Sequence, residues 1–106
     1  MITIIIHRKG DCCRGFSVRG HAGYADKGED IVCSAVSALT INAVNSIEAF
    51  TKDRFSVRSD DGLLKMELDG EISEDTRLLL DSMILGLKSI QTQYGNEFIR
   101  LKFKEV

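Results

Sequence analysis

Proline and tryptophan are both absent from the 106 residues. Without proline no turn is preset by a locked φ, so chain reversals fall to the nine glycines and to Asp, Asn and Ser. Cysteine is scarce as well: three residues, an odd number that no set of internal disulfides uses up. Met1 opens straight into Ile2-Thr3-Ile4-Ile5-Ile6-His7-Arg8, with no basic leader region and no small-residue cleavage site, so reduced thiols and a cytoplasmic location are expected. Charge of one sign is missing too. The formal net charge is -2, from 14 Lys+Arg and 16 Asp+Glu, which excludes an overall basic field and gives no reason to expect a direct nucleic-acid partner. A membrane span is excluded by composition: the charge-free window 31–47 still carries Ser34, Ser37, Thr40, Asn42, Asn45 and Ser46. The length corresponds to one domain, 1–106, with no room for a separate cofactor-binding unit.

What is there has a clear rhythm. The segment from Ile2 to His7 is apolar and β-branched, as in a strand covered on both faces and placed centrally in a sheet. Phe16-Ser17-Val18-Arg19 alternates with period two and forms a hairpin with it, Cys12 and Cys13 falling in the turn. Between Gly20 and Glu29, Gly20, Gly23 and Gly28 interrupt a stretch with no period, which reads as a long mobile loop. From an N-cap at Asp30, apolar residues at Val32, Val36, Leu39, Ala43, Ile47 and Phe50 mark a helix. Its uncharged faces suggest burial against the sheet on one side and a partner subunit on the other. Two further alternating strands meet at an Asp-Gly turn ending in Gly62. Ser73 then caps a second helix, with Glu74 and Asp75 in its first turn and Gly95 as its stop. A last alternating strand runs from Phe98 to Lys104. The order is ββαββαβ: an α+β two-layer sandwich, a five-stranded mixed sheet with two helices.

The residues that carry chemistry sit where the glycine loop enters the first helix. With Asp30 as N-cap, Cys33 occupies the third helical position, where unpaired N–H groups and the positive end of the dipole favour an anion such as a thiolate. The same N–H groups suit the oxyanion of a tetrahedral intermediate. His21 precedes Cys33 by twelve residues, and a glycine-rich loop lets the imidazole fold back to take the thiol proton and return it to a leaving amine. Asp30 either caps the helix or orients that imidazole. Ser37, one turn beyond Cys33, shares its face. A cysteine in an apolar helix is also ordinary packing, whereas a histidine in a glycine loop has no packing reason to be there. Cys12, Cys13, His21 and Cys33 together offer soft metal ligands, but adjacent cysteines lack the spacing of a structural zinc site, so no metal and no cofactor are expected.

The run from Gly20 through Ser37, GHAGYADKGEDIVCSAVS, closely resembles the signature of the ribosomal-processing cysteine proteases, the Prp family. The resemblance implies a cytoplasmic, homodimeric endopeptidase that removes the N-terminal extension of a large-subunit ribosomal protein precursor, cutting beside aromatic residues and supporting ribosome assembly. It implies a metal-free dyad, with His21 as general base and Cys33 as nucleophile, and places the supporting aspartate and serine on Asp30 and Ser37. Gly20, Gly23, Tyr24 and Gly28 then belong to a loop that admits the peptide and closes over it. Tyr24 is suited to stack on an aromatic substrate side chain.

A different class of function reads the strands instead. Arg19, Arg54, Arg58, Lys65, Arg100, Lys102 and Lys104 occupy non-apolar strand positions and form a basic sheet face if one side of the sheet is open. That would make a ribosome- or RNA-binding module, without the aromatic residues that stack on bases.

Overall fold

The computed structural model describes residues 1–20 and 27–106, the side chains of 27–30 excepted. Seven elements follow one another: β1 (Ile2–Lys9), β2 (Cys12–Arg19), α1 (Lys27–Phe50), β3 (Arg54–Asp60), β4 (Leu63–Asp69), α2 (Glu74–Tyr94) and β5 (Ile99–Glu105). The strands form one five-stranded sheet in the order β3-β4-β2-β1-β5. Hairpins make β1–β2 and β3–β4 antiparallel, and β4 lies antiparallel on β2, whereas β5 joins β1 in parallel after the α2 crossover. The expected α+β architecture and the mixed sheet are therefore present. β1 is interior, as expected, but the middle strand is β2.

Both helices lie on one face of this sheet. Ile2, Ile4 and Ile6 of β1, Phe16 of β2, Met66 of β4 and Ile99 of β5 are fully buried there against Val32, Val36 and Ile47 of α1 and Leu80 and Leu87 of α2. Each such side chain stabilises the fold by roughly 1.5–3 kcal/mol on removal from water. Contrary to expectation, composition does not exclude a membrane span, since the helix Ile31–Phe50 is long and apolar enough to cross one; its Val32, Val36, Ala43 and Ile47 stripe is instead spent on this core. The expectation that β1 is covered on both faces is corrected. Its alternate residues Thr3, Ile5 and His7 are only half-buried, because α1 and α2 both lie on the other sheet face.

β2 begins four residues earlier than the alternation indicated. Cys12 and Cys13 are strand residues opposite Lys9 and Arg8, and a bulge follows, since His7 pairs with Gly15 and Arg8 with Cys13. The extra residue shifts the pattern by one, which is why the segment looks like a turn in the sequence. Gly15 is required at this point: a Cβ would run into the Met66 carbonyl oxygen of β4.

The second helix is built as its sequence predicts. Ser73 has extended backbone, and its hydroxyl accepts from the Thr76 N–H at 3.2 Å. Asp53, in the segment before β3, accepts in turn from the Ser73 N–H and hydroxyl, both at 2.8 Å. Gly95 closes the helix at φ 84°, its N–H donating to Gln91.

Candidate active site

α1 starts at Lys27, three residues before the expected cap. Asp30 therefore lies within the helix and cannot be its N-cap, and Gly28 belongs to the helix rather than to the preceding loop. An acidic residue is as favourable inside a first turn as at the cap, so residue type alone does not separate the two positions. Cys33 accordingly sits in the second turn. The unpaired N–H groups belong to the residues before it, and the dipole effect falls off within the first turn, so the helix terminus is not what distinguishes this thiol.

Its surroundings do distinguish it. The buried face of α1 runs through Val32, Val36, Thr40 and Ile47, and Cys33 lies at the margin of that face, half-buried. There it lines a cavity of about 220 Å³ together with Ser37, Thr40 and Ile41 from the same helix. Val18 and Gly20, at the end of β2, form a second wall. The β3–β4 hairpin supplies the third, through Ser59, Asp60, Gly62, Leu63 and Leu64. Polar groups thus meet an apolar lining around one thiol, the arrangement a peptide side chain and its scissile carbonyl need. The buried Thr40 hydroxyl donates to the Val36 carbonyl at 2.9 Å and adds no unsatisfied group to the wall.

Gly20 holds two of these walls together. Its N–H donates to the Gly62 carbonyl at 2.9 Å, joining the end of β2 to the turn of the hairpin. Its φ of 96° and the Met1 carbonyl oxygen, which a Cβ would strike, leave glycine as the fitting residue. At the hairpin itself Gly62 takes φ 71° while Asp61 does not take a positive φ, so the turn is not the type I′ that its Asp-Gly sequence suggests.

The other two thiols have different fates. Cys13 is 3% exposed, its Sγ donates to the Gly15 carbonyl at 3.4 Å, and burial pushes it up to about 11. Such a thiol stays protonated at neutral pH and is a core residue. Cys12 is half-buried beside it. Both lie about 16–20 Å along β2 from Val18 at the cavity, so they cannot share a metal with Cys33. A larger cavity, about 660 Å³, lies along β3 and β4 between Glu48, Arg54, Phe55 and Asp69, but no cysteine lines it.

Of the residues expected at the site, the structure brings Cys33, Ser37 and Gly20 to one cavity. His21, Gly23 and Tyr24 lie outside the described residues. The hairpin residues Ser59, Asp60, Leu63 and Leu64 were not foreseen there. Their only signal was the Asp-Gly turn, which says that the chain reverses but not what it folds over.

A model of the family described as "Cysteine protease Prp" matches residues 1–99. The chain belongs to this family of cysteine proteases. It is 34% identical over 87 residues to the ribosomal processing cysteine protease Prp of Staphylococcus aureus, covering 80% of this chain and 81% of that one. It is 32% identical over 101 residues to the Bacillus subtilis protein of the same name, covering 89% and 90%. Two crystal structures of the S. aureus protease superpose closely. One, in complex with a substrate peptide, has a TM-score of 0.89 at 31% identity and covers 98% of this chain and all of that one. The other, in complex with a covalently linked product peptide, has a TM-score of 0.86 at 32% identity with the same coverage. Family membership makes Cys33, the half-buried cysteine on the three-walled cavity, the natural place to look for the chemistry.

Proposed function

We propose that this protein is the endopeptidase that removes the N-terminal extension of a large-subunit ribosomal protein precursor, supporting ribosome assembly, with Cys33 as nucleophile and His21 as general base. The observation that carries the proposal is the cavity on which Cys33 and Ser37 meet an apolar wall. Cys12 and Cys13 are set apart in β2, and a thiol held near 11 is unsuited to the role. The names of the S. aureus and B. subtilis relatives support the substrate class.

In the proposed reaction the His21 imidazole takes the Cys33 thiol proton, and the thiolate attacks the scissile carbonyl. Collapse of the tetrahedral intermediate breaks the peptide bond as His21 returns the proton to the leaving amine. Water, deprotonated by the same imidazole, then hydrolyses the thioester. Val18, Ile41, Leu63 and Leu64 form an apolar lining suited to an aromatic side chain beside the cut. Gly20, Gly23, Tyr24 and Gly28 flank the approach in sequence, and Asp30 and Ser37 support the dyad. The reaction requires no cofactor. A homodimer is proposed on the exposed apolar residues of the helices, Ile31 and Ile41 on α1 and Leu78 and Leu85 on α2, each at least half exposed. A cytoplasmic location follows from the proposed substrate.

Cleavage of a synthetic peptide spanning the extension junction tests the proposal. Cys33→Ala and His21→Ala are expected to lose on the order of 10³-fold or more in turnover, while Cys12→Ala retains it. Undiminished cleavage by Cys33→Ala would overturn the assignment.

A further inference from the structure

The sheet face turned away from the helices carries a charge pattern that peptide cleavage does not use. The register aligns Arg100 of β5 with Thr3 and Arg19, Lys102 with Ile5 and Ser17, and Lys104 with His7 and Gly15. The same ladder rows continue into β4 and β3 through Leu63 and Asp60, Lys65 and Arg58, and Glu67 and Ser56. Six basic side chains and two carboxylates therefore share these rows, on a chain whose formal net charge is -2. Both carboxylates are engaged locally, Asp60 with Arg58 at 2.8 Å and Glu67 with Lys65 at 3.3 Å. Arg19, Arg100, Lys102 and Lys104 make no ion pair among the described residues. The cationic surplus is thus concentrated on the edge strand and at the Arg19 end.

The shape of this face is as informative as its charge. On this face β1 and β2 present mostly short or compact side chains, Thr3, Ile5, Ser17 and Gly15, with His7 and Arg19 at the two ends, whereas the neighbouring edge strand β5 carries Arg100, Lys102 and Lys104. The result is a shallow trough with one cationic rim, on β5, about 14 Å from β4, where Lys65 is paired with Glu67. Along β5 the charges recur every second residue, about 6.6 Å apart, a stride comparable to that of successive phosphates in an extended polynucleotide.

We propose that this face docks the phosphate backbone of single-stranded RNA. It departs from the expectation drawn from net charge alone, because the charges are segregated and the sum hides them. No Phe, Tyr or Trp lies on these rows, so binding is sequence-tolerant and salt-sensitive rather than base-specific. The proposal does not rest on the Cys33 chemistry, since no residue of the trough except Leu63 and Asp60 at its corner lines the cavity.

The test is fluorescence anisotropy of a labelled oligouridine with the full chain carrying Cys33→Ala, which removes the proposed nucleophile. With four phosphate contacts, the logarithm of affinity falls against the logarithm of salt with a slope of about −2.8, about 50-fold between 50 and 200 mM. The triple variant R100Q/K102Q/K104Q is expected to bind on the order of 500-fold more weakly at 50 mM salt, with a slope of about −0.7. The same triple change in the otherwise wild-type chain keeps its peptide cleavage, which shows that it folds. Absence of binding, or equal binding by the triple variant, overturns the proposal. So does equally effective competition by polyglutamate of matched charge, which would assign the trough to an acidic protein surface.

Discussion

Replacing Gly20 by alanine tests how the wall of the cavity is held. Two costs arise at once. An L-residue at φ 96° carries strain of about 1–3 kcal/mol. The new methyl also runs into the Met1 carbonyl oxygen at the start of β1, and forcing extra volume into a packed backbone contact costs about 1–3 kcal/mol more. The total, about 2–6 kcal/mol, is a large part of the roughly 5–15 kcal/mol that holds a domain of this size together. Gly70 provides the control, because it has φ 76° and a methyl added there would meet nothing within 4 Å. Gly70→Ala therefore bears only the conformational cost. Urea denaturation of the two variants, compared at equal slope, isolates the collision as the difference between them. Thermal midpoints report the same quantity, at about 4–8 °C per kcal/mol for a domain near this size. Because the Gly20 N–H joins β2 to the hairpin turn, Gly20→Ala is also expected to reduce peptide cleavage more than Gly70→Ala. Equal destabilisation by the two substitutions would refute the reasoning, as the contact with Met1 would then carry no energy.

Two titrations extend the account to pH. Hydrogen bonds from Thr76 and from the backbone and hydroxyl of Ser73 hold the Asp53 carboxyl below its ordinary value. The stability it contributes is present above the ordinary carboxylate range and is lost as pH falls through the folded value. Wild-type stability should then drop more steeply than that of Asp53→Asn below about pH 4, in denaturation midpoints measured across acid pH. Cys13 behaves in the opposite sense. Its folded value, raised from 9.0 to about 11, makes its contribution complete below 9.0 and lost as pH rises towards 11. Cys13→Ala should flatten the alkaline limb of the stability curve across that window, relative to wild type.

Much of the fold was legible because its elements follow their own periods. The alternation of β4 and β5, the Ser73 cap with its acidic first turn and the Gly95 stop all appear where local chemistry puts them. What stayed hidden depended on partners distant in sequence. The bulge beside Cys13 and the approach of Met66 to Gly15 break the pattern of β2, and neither is visible until β1 and β4 are in place. Burial of Cys13 has the same origin. The start of α1 was misplaced because glycine and lysine at 27–28 look like loop while Asp30 looks like a cap. At the site, the sequence singled out Cys33, Ser37 and Gly20, and these do share a cavity. The hairpin that completes it is recruited by tertiary packing, and no local signal announces that.

The central claim, that Cys33 is the nucleophile, is tested most directly by limiting iodoacetamide at neutral pH, with site-resolved mass spectrometry and peptide cleavage measured on the same samples. The account predicts that modification of Cys33 runs ahead of Cys12, that the core thiol Cys13 stays unlabelled until the chain unfolds, and that activity disappears in proportion to Cys33 labelling. Cleavage that survives complete modification of Cys33, or that is lost in step with Cys12 instead, would contradict it.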